Sequence, residues 1–93
     1  MNLCIEHVNI NELKPYKCNP RKHPKKQLER LEKSIDQFGY ISPIVINSDN
    51  VVLSGNARLE VAKAKDWKTI PCIRVQNMSA EDELAYVIAD NQL

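Results

Sequence analysis

The stretch Val51-Val52-Leu53-Ser54-Gly55-Asn56-Ala57-Arg58-Leu59-Glu60-Val61-Ala62 restricts this chain more than any other. Three consecutive aliphatics read as a short strand, Ser54-Gly55 ends it, and a run of helix formers follows. A strand that enters a helix through a glycine leaves the first helical N–H groups unpaired above the strand end, where the helix dipole also favours negative charge. Anions bind at such turns. Arg58, in the first helical turn, adds a permanent cation whose forked donors match phosphate or carboxylate. The same pattern also serves as a plain tight turn, with Gly55 in a conformation other residues resist and Arg58 on the surface, so its meaning depends on what flanks it.

The flanks supply a sheet and helices. Pro43-Ile44-Val45-Ile46 and Val51-Val52-Leu53 bracket Asn47-Ser48-Asp49-Asn50, four turn formers, which predicts a hairpin. Leu3 to Ile10 reads as an opening strand whose alternation slips phase between Ile5 and Val8, so a bulge or early end is expected. Thr69 to Val75 returns as a strand rich in branched residues, and Pro71 argues that it lies at an edge or begins there. From Lys25 the spacing becomes helical: Leu28, Leu31, Ile35 and Phe38 make one apolar stripe, read as core, and Gly39 is placed to cap it. A second helix is predicted from about Asn56 to Asp66. Ser79 with Asp82 starts a third, with Leu84, Ala85 and Ile88 as its buried stripe and Asn91 turned the same way. The sum is an α+β fold, a small mixed sheet with about three helices packed on it.

Ninety-three residues suit a single domain spanning 1–93, either part of a longer protein or a small stand-alone relative of one. No apolar run approaches the roughly 18 residues of a membrane span, and Glu6 interrupts the N-terminal apolar stretch, so neither a membrane helix nor a signal peptide is expected and the setting is cytoplasmic. Cys4, Cys18 and Cys72 cannot all pair within one chain and no C-x-x-C occurs, which favours free thiols. Cys4-x2-His7 and Cys18-x4-His23 together offer a donor set that zinc accepts, but residues three apart on a strand point to opposite faces. The net charge is only +1, yet Lys14, Lys17, Arg21, Lys22, Lys25 and Lys26 crowd a proline-punctuated loop without an acid. Such a loop either neutralises phosphates or is simply solvated.

Taken in order, Asn19-Pro20-Arg21, Gly39 with Pro43-Ile44-Val45, Leu53-Ser54-Gly55-Asn56-Ala57-Arg58-Leu59 and Ile70-Pro71-Cys72-Ile73 resemble the ParB N-terminal domain, in the superfamily shared with sulfiredoxin. The ending Ala85-Tyr86 with Ala89-Asp90-Asn91-Gln92-Leu93 is closest to the phage and prophage variant often found at the head of DNA-modification methyltransferases. The resemblance implies a prokaryotic or phage setting beside DNA, contacted directly or through a partner domain, and a homodimer. In ParB proteins a Gly-Glu-Arg-Arg box cradles the triphosphate of CTP, and a Glu-Asn pair helps to hold magnesium. Carried over by position, Gly55 and Arg58 match, Asn56 replaces the acid, Ala57 replaces the first arginine, and Asp90-Asn91 stands for Glu-Asn. The implied phosphate site is Ser54, Gly55, Asn56, Ala57 and Arg58 with Asn19 and Arg21; the implied cofactor is magnesium with CTP or ATP, its metal side at Asp90 and Asn91. Arg21, Lys22, Lys25 and Lys26 are the residues expected to meet DNA or nucleotide phosphates.

Three functions follow from that resemblance: a nucleotide-binding regulatory module, an enzyme of nuclease, NTPase or phosphotransferase type, and a DNA-binding adaptor with a decayed pocket. Phosphoryl transfer needs a group that positions the attacking atom. Glu60, one residue past the first helical turn, and His23, in the basic loop, are weak candidates for it. Sulfiredoxins place a nucleophilic cysteine where this chain has Asn56, so sulfinic acid reduction is not expected.

Overall fold

The computed structural model describes residues 4–17 and 24–91. In chain order it runs β1 (Ile5–Asn9), a single 3-10 turn (Ile10–Glu12), β2 (Lys14–Pro15), α1 (Lys25–Phe38), β3 (Ile44–Ile46), β4 (Val51–Ser54), α2 (Asn56–Ala64), β5 (Thr69–Arg74) and α3 (Ala80–Asn91). The strands form one mixed sheet in the order β1-β5-β3-β4-β2. β1 with β5 and β3 with β4 are antiparallel, whereas β5 with β3 and β4 with β2 are parallel. The α+β architecture matches the sequence expectation, and β2 is an addition to it. Among the described residues no helix is long and apolar enough to cross a membrane.

The hairpin forms because Asn47 closes it from both sides. Its Oδ1 accepts from the backbone N–H groups of Asp49 and Val51, each at 2.9 Å, and its own N–H donates to Val51 O. Asn50 takes the left-handed conformation (φ 67°) that asparagine tolerates. On β4, Val52 and Leu53 point to opposite faces yet both are buried, so the strand is covered on both sides. One face belongs to the core of Val8, Ile10, Ile44, Ile46, Ile70 and Cys72 with Leu59 and Ala62 of α2. The other lies under α3, whose Val87 is buried and which packs on β4.

Three expectations need correction. The Leu28-Leu31-Ile35-Phe38 stripe buries only Ile35 fully, and Phe38 is 62% exposed, because α1 packs chiefly against α2 and ends at Phe38. Gly39 does cap α1, left-handed at φ 78°. On α3 the stripe is not Leu84, Ala85 and Ile88: Leu84 is 42% and Ile88 49% exposed, while Glu83, Val87 and Asp90 face the sheet. Pro71 lies in β5, an interior strand. Val75 N donates to Ile46 O and Ile10 N to Lys68 O, so alternation turns the Pro71 nitrogen toward β3, level with residues before Ile44 where that ladder has not begun. The proline removes no ladder bond.

Candidate functional site

Gly55 joins β4 to α2 with φ 99° and ψ 26°, a left-handed turn open to glycine at little cost. A Cβ there would stand 2.5 Å from Ile44 Cγ2 and 2.8 Å from Arg58 Nη2, so glycine is required by space as well as by conformation. Gly55, the N-cap residue, has no side chain, and among the described residues no side-chain hydrogen bond caps the N-terminus of α2. The first N–H groups of the helix therefore keep the unpaired donors that the sequence pattern implied.

Ser54, in place of capping, donates its Oγ–H to Asp90 Oδ1 at 3.0 Å, which fastens the end of α3 to the end of β4. Arg58 is half-buried and donates Nη2–H to the Pro43 carbonyl at 3.1 Å. Its Nε is buried with no hydrogen-bond partner among the described residues. Burial pulls the Arg58 guanidinium below its ordinary pKa, and the nearby Asp90 carboxylate and Tyr86 phenol act the other way. Arginine remains charged across this range, so the turn holds a desolvated cation with donor capacity to spare.

Beside Arg58 a cavity of about 170 Å³ opens between the C-terminal half of α1 and the segment that follows it. Phe38, Tyr40, Ile41, Ser34 and Ser42 line it together with Arg58. At the far end of α3, Asn47 Nδ2 donates to both Glu83 carboxylate oxygens at 3.1 and 3.2 Å. Arg74 donates to Asn47 O at 2.8 Å and pairs with Glu6. Glu83 and Asp90 thus tie α3 down at both ends of the β3–β4 hairpin.

The residues expected from sequence divide into three groups. Ser54, Gly55, Asn56, Ala57 and Arg58 form one turn, and Asp90 joins it through Ser54. Lys25 and Lys26 are exposed on the first turn of α1. Asn19, Arg21, Lys22 and the side chain of Asn91 lie outside the described residues, as do Cys18 and His23. Among the described residues no cluster of three or more His, Cys, Asp or Glu could hold a metal ion, and Cys4 and His7 are both exposed. Glu60 is exposed on α2. Sequence reasoning read Tyr86 only as part of the C-terminal motif and not as a site residue, although it precedes Asp90 by four positions and so shares its helical face. It also missed the cavity, because the Phe38 side chain was assigned to the core.

The ParB N-terminal domain model matches residues 2–92. The chain is 30% identical over 81 residues to the ParB-like nuclease domain-containing protein YnaK of Escherichia coli (strain K12), covering 87% of this chain and 93% of that protein. It is 27% identical over 88 residues to the probable chromosome-partitioning protein ParB of Rickettsia bellii (strain RML369-C), covering 94% of this chain but only 30% of that longer protein. The C-terminally truncated ParB of Caulobacter crescentus complexed with CTP-γ-S shares the fold at TM-score 0.77 and 22% identity, over 95% of this chain and 52% of that one. The same protein complexed to the centromeric parS site gives TM-score 0.75 at 22% identity, over 92% and 46%. Sulfiredoxin from Arabidopsis thaliana gives TM-score 0.68 at 19% identity, over 91% of this chain and 97% of that one. With a family match across residues 2–92, nearly its whole length, the chain belongs to the ParB N-terminal domain family.

Proposed function

We propose that this domain is a nucleotide-binding regulatory module of a DNA-associated prokaryotic or phage protein, taking a nucleoside triphosphate of the CTP or ATP type with magnesium. The observation that carries the reading is the Gly55 turn itself: an uncapped helix N-terminus beside a half-buried guanidinium whose Nε has no partner among the described residues. A phosphate group satisfies both needs at once. Magnesium that arrives with a nucleotide asks for only one or two carboxylates besides phosphate oxygens and water, and Asp90, held at the turn by Ser54, is a donor of that kind. The CTP-γ-S and parS complexes of the Caulobacter protein support the choice of ligand and of a DNA setting. Exposed Lys25 and Lys26 follow Arg21 and Lys22 in the sequence, and together these four cations offer charge to DNA phosphates.

Calorimetric titration with CTP and ATP, each with and without magnesium, tests the reading. A charge-assisted contact to phosphate is worth about 1.5–3 kcal/mol, so Arg58→Ala should weaken binding about ten- to a hundred-fold. Asp90→Asn should cost affinity chiefly when magnesium is present. Arg30→Ala, which removes a charge from an exposed position on α1, should leave binding unchanged. A free protein that binds neither nucleotide at millimolar concentration would reject the reading and favour the DNA-binding adaptor, for which Ala57 in place of an arginine already speaks.

A further inference from the structure

A second cavity, of about 370 Å³, lies between the 3-10 turn that follows β1 and the turn that joins α2 to β5. It opens beyond the C-terminus of α2, whereas the Gly55 turn stands at the N-terminus, and nine helical residues put about 13 Å between those two ends. Trp67, Lys63, Lys68, Asn9 and Asn11 line the cavity, with Asp66 as its one acid.

The local backbone fixes the tryptophan in this place. Helix α2 closes with a left-handed ending in which Trp67 N–H donates to Ala62 O at 3.0 Å and Asp66 N–H to Lys63 O at 3.1 Å. The left-handed residue is Asp66, at φ 59°, where glycine is usual. Trp67 is half-buried there; it packs against the core and also borders the cavity. Lys63 and Lys68 are exposed, and among the described residues neither forms an ion pair, whereas the neighbouring Lys65 is paired with Asp36. Two cations against one carboxylate leave the cavity positive. A ring that only plugged the core would need none of these neighbours.

An aromatic surface bordered by cations has the chemistry of a site for unpaired nucleotides: the base stacks on the ring, the flanking phosphates meet the ammonium groups, and side-chain amides reach the polar edge of the base. Asn9 Oδ1 already accepts from Asn11 N–H at 2.9 Å, so what Asn9 adds is its Nδ2 donors. Bases inside a duplex are stacked on one another and cannot meet a half-buried ring. We propose that this cavity binds an unpaired nucleotide of a single-stranded nucleic acid, with Trp67 as the stacking surface and Lys63 and Lys68 as the phosphate contacts. Asp66 works against the strand, since its carboxylate repels the phosphates that the lysines attract. The site stands apart from the Gly55 turn and does not rest on the triphosphate reading.

Trp67 is the only tryptophan of the chain, so its fluorescence reports directly on this cavity. Oligothymidylate and oligouridylate about ten nucleotides long, titrated separately at low salt, should quench it saturably, and the tighter of the two identifies the source of the strand. A DNA duplex of the same length and inorganic tripolyphosphate should leave it unquenched. Anisotropy of labelled oligothymidylate then ranks the variants. Trp67→Leu should weaken binding by about 5- to 150-fold, and Trp67→Phe, which keeps an aromatic face, by less. Replacing Lys63 and Lys68 together by alanine, at exposed positions that folding tolerates, should lower the slope of log affinity against log salt by about 1.4. Asp66→Asn, which also tolerates the left-handed backbone, should tighten binding. Thermal unfolding checks Trp67→Leu, and if that variant fails to fold, the lysine pair and Asp66→Asn decide alone. Binding without quenching, equal quenching by the duplex, an unchanged salt slope in the lysine variant, or no binding at millimolar strand would each overturn the site. No nucleoside triphosphate enters these titrations, so none of their results bears on the Gly55 turn.

Discussion

Replacing Gly55 by alanine should destabilise the domain severely, and the size of the effect can be worked from its surroundings. A residue with a Cβ held at φ 99° carries a backbone cost of about 1–2 kcal/mol. The added methyl would meet Ile44 Cγ2 at 2.5 Å and Ile44 Cβ at 2.9 Å, and Ile44 is fully buried in an interior strand with nowhere to retreat. Overpacking of that kind costs about 1–3 kcal/mol. The third contact, Arg58 Nη2 at 2.8 Å, gives way more easily, but only by abandoning the Pro43 carbonyl. The total is about 2–5 kcal/mol, against about 5–14 kcal/mol for a domain of this length at typical stability per residue. Gly39 is the internal control: its φ of 78° is also left-handed, yet no atom lies within 4 Å of a Cβ built there, so Gly39→Ala should cost only the backbone share of about 1–2 kcal/mol. Urea unfolding followed by circular dichroism measures both variants, and at about 4–8 °C per kcal/mol the Gly55 variant should melt at least about 8 °C below wild type. Equal losses at the two glycines would refute the steric argument.

Three further outcomes can be measured directly. Asn47→Ala leaves the Asp49 and Val51 amides and the Glu83 carboxylate without their partner and should cost about 1–3 kcal/mol in urea unfolding; a loss within experimental error would mean that the turn does not anchor α3. Burial pushes the Cys72 thiol up to about 11 from an ordinary 9.0, so between those values the unfolded chain binds fewer protons than the folded one and stability falls as pH rises, by roughly 1–3 kcal/mol. Cys72→Ala should flatten that alkaline slope, and identical slopes would contradict the assignment. If Lys25 and Lys26 meet DNA phosphates, replacing both by alanine should lower the slope of log affinity against log salt by about two in fluorescence anisotropy, and an unchanged slope would remove them from the interface.

Most of the fold was legible because its signals are local. Four turn formers between branched runs specify the β3–β4 hairpin, and the three-to-four spacing of Leu28, Leu31 and Ile35 specifies α1. β2 was not legible, since a two-residue strand has no period; it exists because Lys14 N reaches Asn50 O at 2.9 Å and pairs alongside Val51. Phe38 continues the apolar spacing of α1 but falls at its last residue, beyond what α2 covers. The turn at Gly55 was legible as a turn, because a glycine between three aliphatics and a run of helix formers marks where the strand passes into the helix. The cavity beside it was not, because it depends on where α1 stops.

The rotation of α3 decides which of its residues meet the Gly55 turn, and it shows how polar contacts can override an apolar stripe. Turning this helix by about 100°, one residue's worth, would carry Leu84 and Ile88 toward the sheet. Both are already about half covered, so the gain is limited to the remaining exposed area, roughly 1 kcal/mol each. The same turn would take Glu83 from the Asn47 amide and Asp90 from the Ser54 hydroxyl. Asn47 and Ser54 are themselves buried, at 6% and 8% exposure, so each would be left unpaired at about 1–3 kcal/mol. The polar anchors therefore equal or outweigh the apolar stripe, and α3 settles with Glu83, Val87 and Asp90 inward. That rotation also brings Tyr86 and Asp90 within electrostatic reach of Arg58. A helix-face argument from α3 alone selects the wrong side, because the deciding partners lie on the hairpin, more than thirty residues earlier in the chain.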